Sequence, residues 1–479
     1  MYDYIFLKKS YKFIVLLLIL SMSVPVFAQP DIEILSPSNT TYSQSKILVN
    51  VTSNEVVDFY IDYGPKEINL ARNATSLETY LYVKEGNYIL TIHANNSNGD
   101  AYSEVIFTEA SEEPPLGVTD CGIMFSPNAA YELLNDVSSD STCFYIDQSN
   151  VSFNLNGFSI YSDYSAIESI CKSSKIFNGT IYSEGFAFQL FYGTKCIIKD
   201  INAECGDFAY IEEMPGILFD SINSSITNEY AFSCSNSPCN LFIRNSDFYG
   251  QYESGSTFIK HDNSIFNEIV IENTTINNFD YDFDLSGDQF SDYYMRNTYL
   301  NISKILESGN YIRFFVQHLL KLNVTENGTG VPSIVEIVDS STFNDPIENN
   351  FNYFSNPTGN ISIATDPNGL GETWLTEKSI IYSSPPTEYR FVPYNITAIS
   401  SGTNYSQILD ITGNSTFRMN FSLPSTKLLP CTIDQMFDMN NDNTTDINDA
   451  ILILRRITGL SVESGEEKTC RARNFFVDT

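Results

Sequence analysis

The sequence is poor in the residues that multi-histidine chemistry and nucleic-acid binding require. It has one tryptophan, Trp374, and three histidines, His93, His261 and His318, so chemistry that needs several histidines is nearly excluded. Only 26 Lys and Arg stand against 59 Asp and Glu, which gives a formal net charge of −33 at pH 7. A chain this negative repels phosphate backbones, because nucleic-acid binding needs clustered basic side chains that displace counterions. We therefore expect no nucleic-acid partner.

What is abundant points to folded β structure. The 479 residues include 30 Tyr and 34 Phe, 42% are hydrophobic and 18% are charged. This composition argues against disorder, and aromatic residues favour strands. At about 100 to 200 residues per domain, the length predicts roughly three or four domains.

Long apolar runs are missing after the first 28 residues. In residues 1–28, Lys8, Lys9 and Lys12 precede an apolar stretch that ends near Ala28, the pattern of a cleaved signal peptide. Pro25 interrupts this stretch, which is short for a membrane span. We expect a secreted protein, extracellular or at the cell surface, that does not span the membrane after signal removal.

Nine cysteines fit an oxidising compartment. Within single predicted domains, Cys121 with Cys143, Cys234 with Cys239, and Cys431 with Cys470 are the expected pairs. The remaining three, Cys171, Cys196 and Cys205, then include one odd thiol. Buried free thiols are the alternative.

Glycosylation sequons are more frequent than the roughly nine copies expected by chance. This excess predicts a glycoprotein. The sequon asparagines are Asn39, Asn50, Asn73, Asn95, Asn150, Asn178, Asn223, Asn273, Asn301, Asn323, Asn327, Asn360, Asn395, Asn404, Asn414, Asn420 and Asn443.

Residues 29–110 contain alternating apolar and polar runs such as ILVNVTS (47–53) and NYILTIHA (87–94). This cadence predicts a β-sandwich. The opening ILSPSNTTYSQSKILVNVTS resembles the Ig-like modules of archaeal surface proteins, which implies a fold and no activity. The SEEPP segment at 111–115 is the expected linker.

Residues 118–306 carry an internal repeat. Alanines recur at 166, 187, 209 and 231, and apolar residues recur at 160, 181, 201, 222, 248, 276 and 300. Periods of 20 to 30 residues without helices predict a parallel β-helix. In the later turns, Asn245, Asn273 and Asn297 are expected to stack with bonded amides, and Arg244, Glu272 and Arg296 are expected to form a surface ion-pair ladder.

The segment 130–160, with its phrase NVSFNLNGFSI, resembles the start of right-handed parallel β-helix proteins of the pectin-lyase-like group. The resemblance implies the fold of about 180 residues. It does not imply a reaction, because that group includes lyases, hydrolases, epimerases, adhesins and passive binders.

Residues 310–424 return to alternating strands. The turns NGTG (327–330) and DPNG (366–369) and the strands around them resemble a transthyretin or carboxypeptidase-regulatory-like β-sandwich. Such modules usually space or support a neighbour.

Residues 430–479 contain the one motif with metal-ligand spacing. Oxygen-bearing residues occupy the first, third, fifth, seventh, ninth and twelfth places of a loop, the pattern of an EF-hand type Ca²⁺ site. They are Asp438, Asn440, Asp442, Thr444, Asp446 and Asp449. The loop and the predicted α-helix after it resemble one dockerin repeat, which implies a cohesin-like protein partner. The resemblance is incomplete, because a second repeat is missing and Asn443 stands in place of the usual glycine.

Catalytic signals in the repeat region are weak. Hydrolases of the pectin-lyase-like group resemble one another in an Asp cluster with Gly-His-Gly, whereas lyases have Ca²⁺-holding Asp residues with an Arg or Lys base. The only histidine of the region, His261, lies in KHDN, and the best acidic cluster (Asp280, Asp282, Asp284, Asp288 and Asp292) is expected to be a solvated turn. His93 and His318 are expected to be ordinary sheet residues, and aromatic stripes to be core.

The fold class expected from all this is mainly β. A right-handed parallel β-helix is flanked by two β-sandwich modules, with a small α-helical calcium-loop module at the C-terminus. The expected function is non-catalytic binding or adhesion to glycans through the β-helix, with calcium-dependent docking at the C-terminal end. The alternative is a polysaccharide lyase or glycoside hydrolase acting through the β-helix. Catalytic residues are left unassigned.

Overall fold

The computed structural model describes residues 29–63, 66–110, 116–146, 148–251, 255–262, 264–265, 267–289, 291–306, 312–339, 361–382, 387–400, 403–412 and 416–423. Strands make up 73% of the described residues, among which there is no α-helix. The mainly β class is therefore confirmed. The predicted signal peptide, the SEEPP linker and the calcium-loop module lie outside the described residues, and the predicted module boundaries stay predictions. None of the described helices is long and apolar enough to cross a membrane.

The described residues form two compact units. The first takes in the described chain up to Tyr294, residues 298–306, Ile312, Arg313 and Tyr382. The second takes in residues 295–297, 314–339, 361–381 and the described residues from 387 onward.

The first unit begins with six strands. They are β1 (Ile32–Ser36), β2 (Thr41–Tyr42), β3 (Lys46–Tyr63), β4 (Lys66–Tyr82), β5 (Gly86–Asn96) and β6 (Gly99–Glu109). The pairs β1–β3, β3–β4, β3–β5 and β5–β6 are antiparallel. Antiparallel pairing is expected for consecutive strands joined by a short turn, such as β5 and β6. Inward residues such as Val49, Phe59 and Leu90 are buried in one core cluster.

The repeat region follows. Its strands are β7 (Leu116–Val118), β8 (Gly122–Met124), β9 (Ala130–Leu133), β10 (Val137–Ser139), β11 (Phe144–Ile146), β12 (Ser152–Asn154), β13 (Ser159–Ser162), β14 (Ser165–Ser169), β15 (Lys175–Phe191), β16 (Cys196–Ile226), β17 (Tyr230–Arg244), β18 (Asp247–Gly250), β19 (Thr257–Asp262), β20 (Ser264–Ile265), β21 (Glu268–Glu272), β22 (Thr275–Asn277), β23 (Tyr281–Asp284), β24 (Asp288–Gln289), β25 (Asp292–Arg296) and, after a 3-10 turn at Ile302–Lys304, β26 (Ile305–Leu306).

These strands pair in parallel with the strand one turn away. Residues 137–139 lie opposite 160–162, residues 159–162 opposite 180–183, and residues 247–249 opposite 275–277. The predicted parallel β-solenoid is therefore confirmed, with about eight turns.

Phenylalanine fills the solenoid interior. Phe208, Phe232 and Phe248 are almost fully buried, and their rings meet edge to face with centroids 5.2–5.4 Å apart. Edge-to-face contacts suit the opposite partial charges of ring faces and ring edges. The expectation that aromatic stripes form core is confirmed for this column.

The corners of the solenoid turns use a left-handed backbone. Asn178, Asp200, Ser221, Asn245 and Asn273 all have φ between +47° and +66°, a region that Asn and Asp tolerate better than most residues. The Asn273 amide donates to Asn245 Oδ1 at 3.4 Å, so the predicted amide stacking is confirmed for this pair. Asn297, the third predicted member, belongs to the second unit.

Two of the three disulfides among the described residues, Cys121–Cys143 and Cys171–Cys196, link neighbouring solenoid turns, whereas Cys234–Cys239 lies within the strand β17. The bonds Cys121–Cys143 and Cys234–Cys239 are those predicted. A third bond joins Cys171 to Cys196 across a separation of 25 residues and leaves Cys205 as a free, buried thiol. The predicted Cys431–Cys470 pair lies outside the described residues.

The C-terminal strands are β27 (Ile312–Glu326), β28 (Thr329–Gly330), β29 (Ile334–Asp339), β30 (Ile361–Ala364), β31 (Leu370–Tyr382), β32 (Thr387–Arg390), β33 (Tyr394–Ser400), β34 (Thr403–Leu409) and β35 (Phe417–Leu423). Strands β30, β29, β33 and β34 form one antiparallel sheet in that order, while β35 pairs in parallel with β27. The core cluster of the second unit contains Leu322 and Phe421 from the latter pair and Val335 and Ile396 from the sheet.

Candidate functional site

Two stacked tyrosines stand on the outer surface of the solenoid. Tyr161 on β13 lies opposite Tyr182 on β15, one turn further along. Their ring centroids are 4.9 Å apart and the ring planes differ by 7°. Tyr161 is 43% exposed and Tyr182 37% exposed. We refer to Tyr161 and Tyr182 as the tyrosine pair.

The period of the strand explains why these rings face outward. Successive side chains on a strand point to opposite faces, and β13 has the burial order intermediate, buried, exposed, buried. Ile160, Ile181 and Ala203 occupy neighbouring inward positions and are buried. Tyr161 follows Ile160 and Tyr182 follows Ile181 by one place. Both tyrosine rings are therefore held on the outer surface.

A groove of about 330 Å³ lies beside the tyrosine pair. Its other lining residues are Ser162, Asp163, Ser183, Glu184, Glu204, Cys205 and Thr227. Burial raises the pKa of the Cys205 thiol to about 12, so this cysteine is neutral at physiological pH and unsuited to nucleophilic attack. The groove offers hydroxyl and carboxylate groups around an aromatic surface.

A larger cavity of about 420 Å³ lies where the first turns of the solenoid meet β4. We refer to it as the N-terminal cavity. It is lined by Leu70, Leu77, Glu78, Thr79, Tyr80, Thr119, Asp120, Cys121, residues 135–143 and Tyr145. Four of these residues carry carboxylates (Glu78, Asp120, Asp136 and Asp140), and none is Lys, Arg or His.

Two of the four carboxylates have partners that fix them in place. Asp136 Oδ1 accepts a hydrogen bond from the Ser159 amide at 2.8 Å. Asp120 bonds to Lys46 and to the Thr119 hydroxyl. Burial alone would raise the pKa of Asp120, but the bonds from Lys46 and Thr119 outweigh it and hold the pKa below its usual value. Asp120 therefore stays ionised over a wide pH range.

The register of the strands joins the N-terminal cavity to the tyrosine pair. Ser138, which lines the cavity, lies directly opposite Tyr161. One face of the Tyr161 ring is covered by Tyr182, whereas the neighbour on the other side is the small, exposed side chain of Ser138. The cavity, Ser138 and the tyrosine pair thus form one continuous outer surface, which is the candidate site.

The acidic cluster at 280–292 is only in part the solvated turn that the sequence predicts, because Asp280 is exposed and Asp284 partly exposed but the other three acids are buried. Asp282, Asp288 and Asp292 are all at most 5% exposed. Asp288 accepts hydrogen bonds from the Ser291 and Tyr293 hydroxyls at 2.5 Å and 2.7 Å and from the Asn267 amide at 3.1 Å. Such a network satisfies a buried carboxylate, and it is closed to solvent-borne substrates.

The other two buried acids, Asp292 and Asp282, also interact with neighbouring protein groups. Asp292 forms a two-bond ion pair with Arg313, with N–O distances of 2.7 Å and 2.8 Å. Burial raises the pKa of Asp282 to about 6, against opposing effects of Lys304 and a backbone hydrogen bond from Asn301. Neither acid lines the N-terminal cavity or the groove beside the tyrosine pair.

Arg244 and Arg296, the two arginines of the predicted ion-pair ladder, have partners of their own. Arg244 Nη2 lies 2.9 Å from Asp220 Oδ2, and both residues lie in register with Glu272. The ion-pair ladder thus includes Asp220, which was not predicted from the sequence. In the second unit, Arg296 donates to Gln317 at 3.0 Å and lies over the Trp374 ring at 5.4 Å.

The three histidines are sheet residues. His93 stacks on Tyr60 at 5.2 Å, and His261 is fully buried, with burial lowering its pKa. His318 Nε2 lies 2.9 Å from Glu377 Oε2 in the second unit. None of the three lines the two cavities described above.

The predicted Ca²⁺ ligands lie outside the described residues. These are Asp438, Asn440, Asp442, Thr444, Asp446 and Asp449. Among the residues that the structure does describe, no cluster of three or more His, Cys, Asp or Glu side chains has a metal-binding arrangement. The calcium site therefore stays a prediction from sequence.

The tyrosine pair was missed in the sequence, although a signal for it exists. The tripeptide Ile-Tyr-Ser occurs at 160–162 and again at 181–183, which is one repeat apart. The alternation of strands makes the tyrosine outward wherever the isoleucine is inward. A repeated outward aromatic is the pattern that would have identified the surface.

Every sequon asparagine within the described ranges is at least partly exposed. Several lie at solenoid corners, including Asn178 and Asn273. No protein-family model matches the chain, and no curated protein matches it either.

Proposed function

We propose that the protein is a secreted or cell-surface glycoprotein that binds glycans through its β-solenoid without cleaving them. The observation that carries this proposal is the exposed, stacked tyrosine pair beside cavities rich in hydroxyl and carboxylate groups. The apolar face of a sugar ring packs on an aromatic ring, while its hydroxyls donate to carboxylates. The candidate site supplies both kinds of contact.

An extracellular location is part of the proposal. Three disulfides support it, because such bonds persist in oxidising compartments. The exposure of the described sequon asparagines supports glycosylation, since a glycan needs a solvent-facing attachment point.

The finer architecture is also proposed. The solenoid is taken as right-handed and pectin-lyase-like on the resemblance of residues 130–160. The antiparallel strands β1 and β3–β6 support an Ig-like module, and the shared core of β27, β29, β33 and β35 supports a carboxypeptidase-regulatory-like sandwich.

At the C-terminal end, we propose calcium-dependent docking to a cohesin-like partner. The support is the ligand spacing from Asp438 to Asp449. Isothermal titration of the full chain with Ca²⁺ should give binding heat, and Asp442→Ala should abolish it. Equal heat from the variant would contradict this site.

Glycan binding is tested on the full-length protein with a glycan array, followed by titration of the best ligand. Tyr161→Ala and Tyr182→Ala should each weaken binding about tenfold, because each removes an aromatic surface. Tyr102→Ala is the matched control, since Tyr102 is a 71% exposed tyrosine on β6 that lines neither cavity. Equal losses in all three variants would count against the proposal.

Cleavage of polysaccharide is the second candidate function. The four carboxylates of the N-terminal cavity favour it, because paired acids perform glycoside hydrolysis. Release of reducing ends or of unsaturated sugars from polysaccharide, lost in Asp136→Asn or Asp140→Asn, would establish it in place of passive binding.

A further inference from the structure

The stacking geometry of the tyrosine pair defines where the next ring would lie. Neighbouring strands are about 4.8 Å apart, and the two tyrosine rings are 4.9 Å apart and nearly parallel. The next position along this column, on the side of Tyr161 away from Tyr182, is held by Ser138. Its side chain is too small to cover the ring, so a flat ligand can lie there against Tyr161.

A ligand in that position would also reach the N-terminal cavity. Ser138 belongs to the cavity lining, as do its neighbours Asp136, Ser139 and Asp140. These side chains are at least partly exposed, so their oxygens are available to hydroxyl donors. The cavity volume of about 420 Å³ suits a small number of sugar rings.

The charge of the cavity selects among glycans. Its lining carries four carboxylates and no cationic side chain. Of the cations that the structure describes, Lys46 is bonded to Asp120 and lies over the Tyr80 ring, and Arg72 acts electrostatically on Tyr145. Like charges brought together at a binding surface are strongly unfavourable, so the carboxylate of a uronate or other acidic sugar would be repelled.

We infer that the candidate site binds a neutral pyranose chain, one ring of which lies on Tyr161 above Ser138 and donates hydroxyl hydrogen bonds to Asp136 and Asp140. The inference rests on the proposed glycan-binding function and adds the ligand class and the position of one sugar subsite. It excludes polyuronates as ligands of this surface.

The test uses isothermal titration of the full-length protein with cellohexaose, xylohexaose, mannohexaose and hexagalacturonate. At least one neutral hexasaccharide should bind, and hexagalacturonate should bind about tenfold more weakly or not at all. Ser138→Leu places a larger side chain over Tyr161 and should weaken neutral binding about tenfold. Ser286→Leu, at an exposed serine that lines neither cavity, is the matched control and should leave affinity within about twofold.

The outcomes separate the two claims. Hexagalacturonate binding as tightly as every neutral ligand, or Ser138→Leu binding like the unaltered chain, would overturn the inference while leaving glycan binding intact. Failure of all four sugars to bind, together with an empty glycan array, would overturn the proposed function and the inference with it. Circular dichroism of each variant shows that the fold is kept.

Discussion

Single residues at the solenoid corners determine how tightly the chain can turn. Asn245 combines a left-handed backbone, φ +51°, with hydrogen bonds from its amide group to Asp220 at 3.0 Å and from Asn273 at 3.4 Å. Most residues pay about 1 to 2 kcal/mol to adopt this backbone region. Asn245 therefore suits the corner for two reasons: asparagine tolerates this backbone conformation, and its side chain forms hydrogen bonds there.

Replacing Asn245 separates these two effects. We expect Asn245→Ala to lower the free energy of unfolding by about 2 kcal/mol, through both backbone strain and lost hydrogen bonds. Asn245→Gly should lose about half as much, because glycine adopts positive φ without strain. Urea unfolding followed by circular dichroism measures both values. Equal losses would show that backbone conformation contributes little here.

A buried carboxyl on β23 gives a pH-dependent prediction. Burial raises the pKa of Asp282 from 3.8 to about 6 in the folded protein. Between these values the folded state binds more protons than the unfolded state, so this group makes stability fall as pH rises from about 4 to about 6. Above that window, the ionised, buried carboxylate is a permanent cost.

Asp282→Asn removes this ionisation. The variant should gain about 1 to 2 kcal/mol over the unaltered protein at pH 7.5, and much less at pH 4. Comparing variant with parent at each pH cancels the general effect of the protein's negative charge. A difference that stays constant between pH 4 and pH 7.5 would contradict the raised pKa.

Among the elements, the solenoid repeat could be predicted from the sequence, but its register could not. Ala209 lies opposite Phe188 and Phe232, not in line with Ala187, and Ile201 lies opposite Gly179, not Ile181. The residues of the predicted alanine series therefore do not all share one position of the coil, and the same holds for the predicted isoleucine series. The offset between paired residues of β15 and β16 is 22 before the register irregularity (Lys175 with Ile197) and 21 after it (Phe186 with Asp207). A fixed spacing of similar residues in the sequence therefore does not report their pairing in the coil.

The register of the strands also determines how much of the candidate site the sequence can predict. Tyr161 and Tyr182 belong to the β13–β15 pairing, whose offset is 21 throughout (Ser159 with Thr180, Ser162 with Ser183), so their 21-residue spacing does report their true alignment. Ser138 and the cavity around it depend on where β4 meets the first turns. Such long-range packing leaves no local pattern in the sequence. The buried state of Asp288 was likewise unpredictable, because its partner Asn267 lies just before β21, 21 residues earlier in the chain.

The phenylalanine column should carry much of the solenoid's stability. Phe232 is fully buried and contacts the rings of Phe208, Phe219, Phe248 and Phe258. We expect Phe232→Ala to cost about 3 to 5 kcal/mol, the usual loss for a large aromatic cavity. Phe177→Ala, at a partly exposed position of β15, is the control and should cost far less. Thermal unfolding of both variants measures the difference.

At the scale of the whole molecule, an N-terminal strand pairs with the first turn of the solenoid and covers part of its edge. Strand β4 pairs in parallel with β8, with Leu81 opposite Ile123 and Tyr82 opposite Met124. Ile123 and Leu81 are buried in the same core cluster. The first turn of the solenoid therefore has a neighbour along this part of its edge. An open edge strand offers unpaired backbone groups to other chains, and proteins commonly cover such edges.

Removal of residues 29–110 should therefore produce a shortened chain that self-associates through β8. We expect the shortened chain to elute as large species in size-exclusion chromatography and to bind thioflavin T, despite the negative charge that the remaining domains retain. The charge acts over a Debye length of about 8 Å, whereas edge pairing forms direct backbone hydrogen bonds. Ile123→Lys in the shortened chain should restore a smaller species, because an edge lysine opposes pairing. If the shortened chain stays monomeric without that lysine, the N-terminal strands do not protect the edge, and solubility rests on charge alone.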